Sequence, residues 1–584
     1  MACSFLFPGA HILLVLVLGA DCAAVISWVS EPVLPNQSFL LAASSKGGLS
    51  NQSVVEVRQG VGWVKAETTG FTPYGCVALL PSDFRTREFE IKVDNGPVFT
   101  ANVARPWFLF GDRGSHATAG GWIRAVGVGI GLNPPATVAT LVLQRGGAEL
   151  RILARNTSTG DGVGARHSRW HAFFDIPSSL APGEYDAAIA SYEGSTPSKL
   201  CTFLNQDEPC LASFNVTTPG NLLPAKPDVF NLANFGAVQP GPGRNHTSAV
   251  HGALVAAKNN GGGVVYLPRG QYFIEGAVLI PPGTVLRGEG TELVSIFFKE
   301  DNQTSAPRAY VTSTEPAPWG IEHVSIYVTA FANNVVQFQP ETDGAFMRYV
   351  RIRYNSYFCL EPQKGSSSRG RTADWDFSVG VAVMLAGRNL FVTDNDIYSS
   401  GDVVSTLYNG AAGAEYMHIA RNRFWNGGTT HWGVSWRQCI YEDNQATGVS
   451  VAAMGSNYPQ YAHDNGEPHV QNIFHHNNTQ QMIWGNDREM MTCDGGGGVY
   501  FGGAVQDDTG LHIKLARNAS GSQPGGAMCV LSGMPLRFLL CCTFQRDAPS
   551  AINLTVTHRL CGILWRTVGT HLRACLHDRR PIGC

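Results

Sequence analysis

Residues 246–290 read HTSAVHGALVAAKNNGGGVVYLPRGQYFIEGAVLIPPGTVLRGEG, one helix signal followed at once by strand signals. Apolar and small residues recur at helical spacing from Ala249 to Ala257, and Gly261 stands where a glycine ends a helix. We therefore expect a helix within 247–259. Short apolar segments then alternate with turns, at 264–267, 271–274, 277–280, 285–287 and 293–298. Strands this short and regular are typical of a β-solenoid, in which each coil stacks on the previous one.

An imperfect repeat continues this pattern downstream. It covers residues 391–397 (FVTDNDI), 417–424 (MHIARNRF) and 439–446 (CIYEDNQA). Asn395, Asn422 and Asn444 occupy matching positions, 27 and 22 residues apart, which is the length of one coil. We expect each asparagine to adopt the left-handed conformation at a coil corner and to bond to the asparagine of the next coil. Sugar binding by these asparagines is the alternative, and stacking explains the spacing better.

The segment upstream of the solenoid has a different sequence pattern. Residues 25–226 contain strand-like segments with period-2 alternation, for example 53–58, 88–93 and 139–144, separated by Gly, Pro and Asn. This pattern predicts two β-sandwich modules, residues 25–105 and 106–226, with a break near residues 102–107.

Composition excludes several classes of protein. The chain has 584 residues, of which 15% are charged, and its formal net charge is −3. Neither a polycationic nucleic-acid binder nor a polyacidic solvating chain has this balance. The hydrophobic fraction of 44% is too high for a disordered chain. The 66 glycines, together with the low charge, favour β structure with many tight turns.

The N-terminus has the features of a secretion signal. Residues 11–20 read HILLVLVLGA, which is too short to span a bilayer, and small residues follow, so we expect a signal peptide over residues 1–24. A buried N-terminal helix is the alternative. No other stretch is long and apolar enough to span a membrane after signal removal. The predicted location is extracellular.

Two further features are compatible with secretion. Cys201 and Cys210 flank eight residues and are the best candidates for a disulfide bond. The tripeptide Asn-x-Ser/Thr marks candidate glycosylation sites. It occurs at Asn36, Asn51, Asn156, Asn215, Asn245, Asn302, Asn477, Asn518 and Asn553.

Residues 507–584 differ from the rest of the chain. No coil repeat continues past about Ser532, and six cysteines lie between Cys529 and Cys584. We interpret 507–584 as an atypical, cysteine-rich and unstructured tail that does not continue the solenoid. A small disulfide-linked cap is the alternative.

The stretch from FNLANFGAV, which begins at Phe230, to GEG at Gly290 resembles the opening of the pectate-lyase-like family, which includes rhamnogalacturonase and epimerase members. The resemblance implies an all-β fold, a right-handed parallel β-helix over residues 227–506 whose end is capped by the short helix. It departs from the family pattern at Asn245-His246-Thr247, where many members carry an acidic residue before the threonine. The segment GGWIRAVGVGIGL, from Gly120, is similar to immunoglobulin-like modules that precede such β-helices.

Residues 461–502 combine the acids, bases and aromatic rings that act on sugar chains. His463 and His469 lie near one end, and Asp487-Arg488-Glu489 and Asp494 near the other. A hydrolase needs two carboxylates across the scissile bond, for which Asp464, Asp487, Glu489 and Asp494 are candidates. A lyase needs a base and a cation beside a uronate carboxylate. Arg488 with either histidine could serve, and aspartate pairs could hold calcium. A structural ion pair in a turn is the alternative.

Aromatic rings and two acids suggest where a sugar polymer would bind. Trp425, Trp432, Trp436 and Trp484 fall within 60 residues, and at least one of them is expected to stack on a sugar rather than pack in the core. Asp394 and Asp396 flank Asn395 and should project to one face.

The predicted function is that of a secreted protein that cleaves an acidic polysaccharide in a groove of the β-helix, as a glycoside hydrolase or a polysaccharide lyase. The polygalacturonase and calcium pectate lyase signatures are missing from the sequence. The alternative is therefore a non-catalytic glycan-binding or extracellular-matrix protein. A panel of glycans scored for new reducing ends and for unsaturated uronate ends separates these functions.

Overall fold

The structure is a computed structural model, and it divides into two compact units. One unit contains residues 1–112 and 116–218, and the other contains 113–115 and 219–584. Beyond residue 446 only the backbone of the strands is described. The described residues are 25–30, 33–43, 49–72, 74–131, 138–155, 170–192, 195, 197–199, 213–218, 223–236, 244–299, 309–328, 334–354, 381–399, 402–406, 414–425, 431–433, 436–447, 453–456, 470–476, 479–481, 491–494, 499–503, 510–514, 528–531, 544–545 and 553–554.

The described residues between 25 and 101 form two antiparallel four-stranded sheets around one core. One sheet is built from Ile26–Val29, Ser38–Ala43, Gly75–Leu79 and Glu67–Thr72, in that order. The other is built from Trp63–Lys65, Val55–Arg58, Phe89–Val93 and Phe99–Ala101. Alternate residues of each strand point inward, so that Phe39, Val57 and Ile91 are buried in a common hydrophobic cluster.

The next residues form a second pair of sheets with a separate core. The larger sheet is built from His116–Thr118, Ser213–Thr217, Gly183–Ala190, Thr140–Arg145 and Ala148–Leu153, with Ser198–Lys199 paired to its third strand. The smaller sheet is built from His171–Asp175, Trp122–Val128 and Arg105–Gly111. The Tyr185 hydroxyl donates to the Ala181 carbonyl oxygen over 2.6 Å, which ties the turn before strand Gly183–Ala190 to that strand.

A short 3₁₀ helix and one α-helix precede the coils. The 3₁₀ helix is Leu232–Phe235 and the α-helix, α1, is Thr247–Asn260. Gly261 ends α1 in the left-handed region, with a φ of 78°. The buried side of α1, which includes Val250, Ala253 and Leu254, packs in the same cluster as the first coils. The predicted helix and its glycine end are confirmed.

Three parallel sheets, S1, S2 and S3, run along the solenoid, and every complete coil contributes one strand to each in that order. S1 is built from Val229–Asn231, Gly263–Leu267, Thr284–Gly288, Gly320–Glu322, Phe346–Arg348, Gly387–Thr393, Ala414–Ala420, Trp436–Glu442, Val470–His476 and Val499–Gly503. S2 is built from Gly270–Glu275, Val294–Lys299, Ser325–Val328, Arg351–Tyr354, Asp396–Ser399, Arg423–Trp425, Gln445–Thr447 and Thr479–Gln481. S3 is built from Val278–Ile280, Ala309–Ser313, Asn334–Gln337, Val381–Leu385, Asp402–Thr406, His431–Gly433, Ala453–Ser456 and Met491–Asp494.

This repetition of parallel strands confirms the predicted all-β, right-handed parallel β-helix. Antiparallel strands Gly510–Lys514 and Met528–Leu531 extend S1 at its far end, and Phe544–Gln545 pairs with Asn553–Leu554. Among the described residues, no helix is long and apolar enough to cross a membrane.

Stacked aliphatic side chains fill the solenoid. In S2, Ile296, Ile326 and Ile352 are in register and buried. Valines do the same in S3, where Val311, Val336 and Val383 are in register. Because successive residues of a strand point to opposite faces, the side chains between these positions project outward as rows along the solenoid axis.

The asparagine ladder lies at the corner between S1 and S2. The Asn422 Oδ1 accepts from the Asn395 backbone N–H at 3.0 Å and from its Nδ2 at 2.9 Å. Asn444 Oδ1 accepts in the same way from Asn422. The predicted stacking of the three asparagines is confirmed.

The predicted left-handed conformation of these asparagines is wrong by one position. The residues with positive φ at these corners are the preceding Asp394, Arg421 and Asp443, at 60°, 54° and 54°. The turn reverses the chain at that residue, which leaves the following asparagine free to point inward, where its amide bonds along the stack.

Candidate functional site

The outward side of S2 carries the densest set of charged and aromatic side chains for which the structure describes contacts in the middle coils. We call it the S2 face and define it by Arg351, Arg353, Asp396, Tyr398, Arg423 and Trp425. Two rows are in register along it. One contains Tyr327, Arg353, Tyr398 and Trp425, and the other contains Ser325, Arg351, Asp396 and Arg423.

Aromatic rings begin the first of these rows. Phe273 and Phe297 are stacked with ring centroids 5.0 Å apart, and Phe297 and Tyr327 are 4.9 Å apart. The interplanar angles of 13° and 14° show that the three rings follow the spacing of the strands. The ring row therefore leads along the solenoid axis to the guanidinium group of Arg353.

Asp396 is the centre of the S2 face. Its Oδ2 accepts from Arg353 Nη2 at 2.8 Å and lies 3.6 Å from Arg351 Nε. Its Oδ1 accepts from the indole Nε1 of Trp425 at 2.8 Å. One carboxylate thus fixes side chains from the coil before it and the coil after it.

The charge state of Asp396 follows from these contacts. Desolvation raises the pKa of the carboxyl group, but the hydrogen bonds and charge of Arg353 and the Trp425 bond outweigh it, so the pKa lies below its ordinary value. Asp396 is therefore ionised at neutral pH. It is suited to holding cationic and N–H groups in place and unsuited to acting as a general acid there.

The three arginines of the S2 face differ in how far they are neutralised. Arg351 makes a bidentate pair with Glu292, one contact being 2.7 Å, and Arg353 is paired with Asp396. Arg423 is exposed, and its guanidinium carbon lies 4.8 Å from the ring centroid of Trp425. Among the residues with described side chains, no carboxylate is paired with Arg423. The arrangement offers one available cation beside an oriented indole ring.

Asp394 has a different environment from Asp396. It makes a bidentate pair with Arg421 of the next coil, at 2.7 Å and 2.8 Å. Both residues hold the left-handed corner position. These contacts favour a role in joining corners, although both aspartates were expected to contact a sugar.

The S1 sheet carries a second set of ion pairs. Glu322, whose side chain is only 1% exposed, is held between Arg287 and Arg348, with Arg348 Nε at 2.6 Å. Desolvation raises the pKa of Glu322, but the contacts with the two arginines lower it by more. The pKa of Glu322 therefore lies below its ordinary value. His418 Nε2 and Glu442 Oε1 are 2.9 Å apart, and both side chains are almost fully buried. Burial favours a structural role for these pairs.

The lowered pKa values of Asp396 and Glu322 predict acid sensitivity. A carboxyl whose folded pKa is depressed stabilises the fold above its unfolded pKa, about 4, and this stability is lost as pH falls through the folded pKa. We expect the urea midpoint of the solenoid to fall steeply below about pH 4. In an Asp396→Asn, Glu322→Gln double variant, the fall between pH 5 and 3 should be shallower. An equal fall in both proteins would contradict the prediction.

The other predicted site residues are placed as follows. His463, Asp464, His469, Trp484, Asp487, Arg488 and Glu489 lie outside the described residues, as do Cys201 and Cys210. Asp494 ends the last S3 strand, and Trp432 and Trp436 lie in S3 and S1, where only the backbone is described. The structure brings Asp396 and Trp425 into direct contact.

The sequence contains a pattern that could have identified Arg351 and Arg353 as residues of the site. Residues 351–354 (RIRY), 396–399 (DIYS) and 423–425 (RFW) follow the same corner and occupy the same register. Aligning the coils at that corner would have placed Arg351 and Arg353 beside Asp396.

Possible metal and glycosylation sites are the remaining expectations. Within the described part of the chain, no group of three or more His, Cys, Asp or Glu side chains is placed to hold a metal ion. The segment expected to bind calcium, 461–494, is mostly outside that part. Of the candidate glycosylation sites, Asn36, Asn51, Asn215 and Asn245 are described and exposed.

The comparison with protein families finds a match within the solenoid. Residues 229–451 match the sequence model of the family described as rhamnogalacturonase A/epimerase, pectate lyase-like. No curated protein sequence matches the chain.

Solved structures similar to this chain are distant relatives. The mannuronan C-5 epimerase A-module of Azotobacter vinelandii is 15% identical, with 43% of this chain and 74% of that chain covered and a TM-score of 0.25. An α-1,3-glucanase catalytic unit from Streptomyces thermodiastaticus is 14% identical, with 65% and 68% covered and a TM-score of 0.30. The polygalacturonase of Erwinia carotovora is 13% identical, with 48% and 84% covered and a TM-score of 0.30.

The family match covers the first part of the stacked coils, which continue to the S1 strand Val499–Gly503. It starts at the first S1 strand, Val229–Asn231, and its last residue, 451, follows the S2 strand Gln445–Thr447. Residues 229–451 of this chain are a pectate-lyase-like, right-handed parallel β-helix.

Proposed function

We propose that this protein is a secreted, carbohydrate-active protein that binds an acidic polysaccharide along the S2 face. The observation that carries the proposal is the contact of Asp396 with both Arg353 and Trp425, beside the exposed Arg423. A ring held edge-on by a carboxylate is a fixed platform for the apolar side of a sugar. The adjacent guanidinium group suits a carboxylate or sulfate on that sugar.

The polymer would run along the solenoid axis, across the strands. Equivalent positions of neighbouring coils repeat at about 4.8 Å in this direction, so that rows of like side chains form a continuous track. On the S2 face this track passes from the stacked rings of Phe297 and Tyr327 to Arg353, Tyr398 and Trp425. An extended polymer can therefore contact several coils at once, and weak contacts at each coil add up.

Cleavage is the second part of the proposal, and it assigns binding and chemistry to different residues. Asp396 and Glu322 are held ionised by arginines, which makes each a poor proton donor. The proton-transfer groups therefore belong to the segment 461–494, with Asp487, Glu489 and Asp494 as acids and His463, His469 and Arg488 as bases or anion partners. The reaction is hydrolysis, or elimination beside a uronate carboxylate. A non-catalytic glycan-binding protein is the competing function.

Binding is tested by Arg423→Gln, which removes the available charge and keeps a polar side chain of similar reach. We expect polygalacturonate or alginate to bind the variant about tenfold or more weakly than the unchanged protein, because a hydrogen bond to a charged group is lost. The measurement is retardation in gels containing these polymers, at low and at moderate salt. The substitution should not change the binding of neutral polysaccharides.

The matched control is Arg151→Gln, which removes an exposed arginine paired with Glu149 in the second sandwich. It should bind uronate polymers as the unchanged protein does. Equal retardation of the Arg423 variant and the unchanged protein would contradict binding on the S2 face. An equal loss of retardation by neutral and acidic polymers in Arg423→Gln would contradict the assignment of an acidic ligand to the S2 face.

A further inference from the structure

A second surface with an oriented aromatic ring lies in the first sandwich. The sheet of Trp63–Lys65, Val55–Arg58, Phe89–Val93 and Phe99–Ala101 buries one side in the sandwich core. Its other side presents two rows of outward residues. One contains Trp63, Arg58 and Glu90, and the other contains Lys65, Glu56 and Lys92.

The Trp63 ring contacts two cations of this sheet. Its ring centroid is 4.6 Å from the guanidinium carbon of Arg58, on the neighbouring strand, and 4.4 Å from Nζ of Lys92, on the strand beyond. Trp63 belongs to the edge strand, so its indole must extend along the sheet, over the intervening strand, to reach Lys92. The ring therefore contacts both cations and keeps part of its surface exposed.

The charges beneath the ring are neutralised locally. Arg58 pairs with Glu90, and Lys92 Nζ lies 3.0 Å from Glu56 Oε2. The cations are attracted to the ring and the carboxylates hold the cations, so that the indole is fixed without a ligand. A surface ordered in advance loses little conformational entropy when a ligand binds.

We propose that Trp63 is the platform of a second glycan-binding site, which takes a neutral pyranose chain. A partly exposed indole ring can stack on the C–H face of a pyranose, and Glu56, Glu90 and Lys65 lie in the same two rows to bond with hydroxyl groups. Arg58 and Lys92 are both neutralised by their own partners, and Glu56 and Glu90 repel a uronate, which leaves Lys65 to bond with the hydroxyl groups of a neutral sugar. The ligand of this site thus differs from the acidic polymer assigned to the S2 face.

The test uses the full chain with Trp63→Ala and Trp63→Phe, and soluble β-glucan, galactomannan and arabinogalactan as neutral probes. We expect at least one probe to retard the unchanged protein in affinity electrophoresis. Trp63→Ala should weaken that interaction about tenfold, and Trp63→Phe, which keeps a smaller ring, should retain most of it. Thermal unfolding of both variants checks that the sandwich is still folded.

Two control variants separate this site from its neighbours and from the S2 face. Val61 is fully exposed at the tip of the same hairpin, and Val61→Ala should leave binding unchanged. Arg423→Gln should also leave neutral binding unchanged, so that failure of one site does not affect the test of the other. The proposal is overturned if no neutral probe retards the unchanged protein. It is also overturned if folded Trp63→Ala binds a neutral probe as strongly as the unchanged protein does. In that case the ring and its cations only stabilise the sheet.

Discussion

Asn422→Ala is expected to lower the free energy of unfolding of the solenoid by about 3–5 kcal/mol. The side chain is 1% exposed and is the middle member of the asparagine ladder. Its Oδ1 accepts from the backbone and the side chain of Asn395, and its Nδ2 donates to Asn444 Oδ1 and to the Val392 carbonyl oxygen. Alanine leaves these buried groups without a partner, and each such group costs about 1–3 kcal/mol.

Urea unfolding and hydrogen exchange together measure this effect. Exchange should accelerate at the backbone N–H of Asn395, which loses its acceptor, and in the strands on either side of that corner. The matched control is Asn260→Ala, since that side chain bonds to Asp228 and Gly262 near the exposed end of α1. A loss below about 1 kcal/mol in Asn422→Ala, or equal effects in both variants, would show that the ladder contributes little.

The sequence predicted the fold well because its signals there are local. The spacing of small and apolar residues in Thr247–Asn260 and the glycine after it define the capping helix without reference to any distant residue. The three corner asparagines show the repeat because each follows an S1 strand and precedes an S2 strand. The αL position was misplaced because spacing identifies the corner but does not say which of its two residues turns the chain.

The candidate site was harder to predict from the sequence, because the residues that form it are far apart along the chain. Arg353 and Asp396 are 43 residues apart, although their strands are adjacent. A long segment between them, 355–380, interrupts the coil length and hides the register. Asp396 and Trp425, which are 29 residues apart and lie in adjacent coils, were both identified from the sequence. The composition of a single segment, 461–494, attracted attention instead because its charges are consecutive.

The largest predicted effect on activity is that of a substitution in the segment 461–494, to which proton transfer is assigned. Asp487→Asn keeps the size of the side chain and removes its charge, and it should lower turnover of an acidic polysaccharide by about 100-fold or more. The reason is that Asp487 belongs to the segment to which proton transfer is assigned, whereas Asp396 and Glu322, which arginines hold ionised, do not supply a proton near neutral pH. Asp186→Asn, in an exposed position of the second sandwich, is the control.

The products also identify the reaction. Hydrolysis yields one new reducing end for each bond cut and no unsaturated sugar, whereas elimination removes the proton beside the uronate carboxylate and leaves a double bond that absorbs in the ultraviolet. In a hydrolase, Asp487→Asn and Glu489→Gln should both lower turnover, because acid and base are separate carboxylates. In a lyase, Arg488→Gln and a histidine variant should have the larger effects. Unchanged turnover in Asp487→Asn, Glu489→Gln and Asp494→Asn would remove this segment from the chemistry. Absence of both products from the unchanged protein would favour a glycan-binding protein that uses the S2 face without cleaving its ligand.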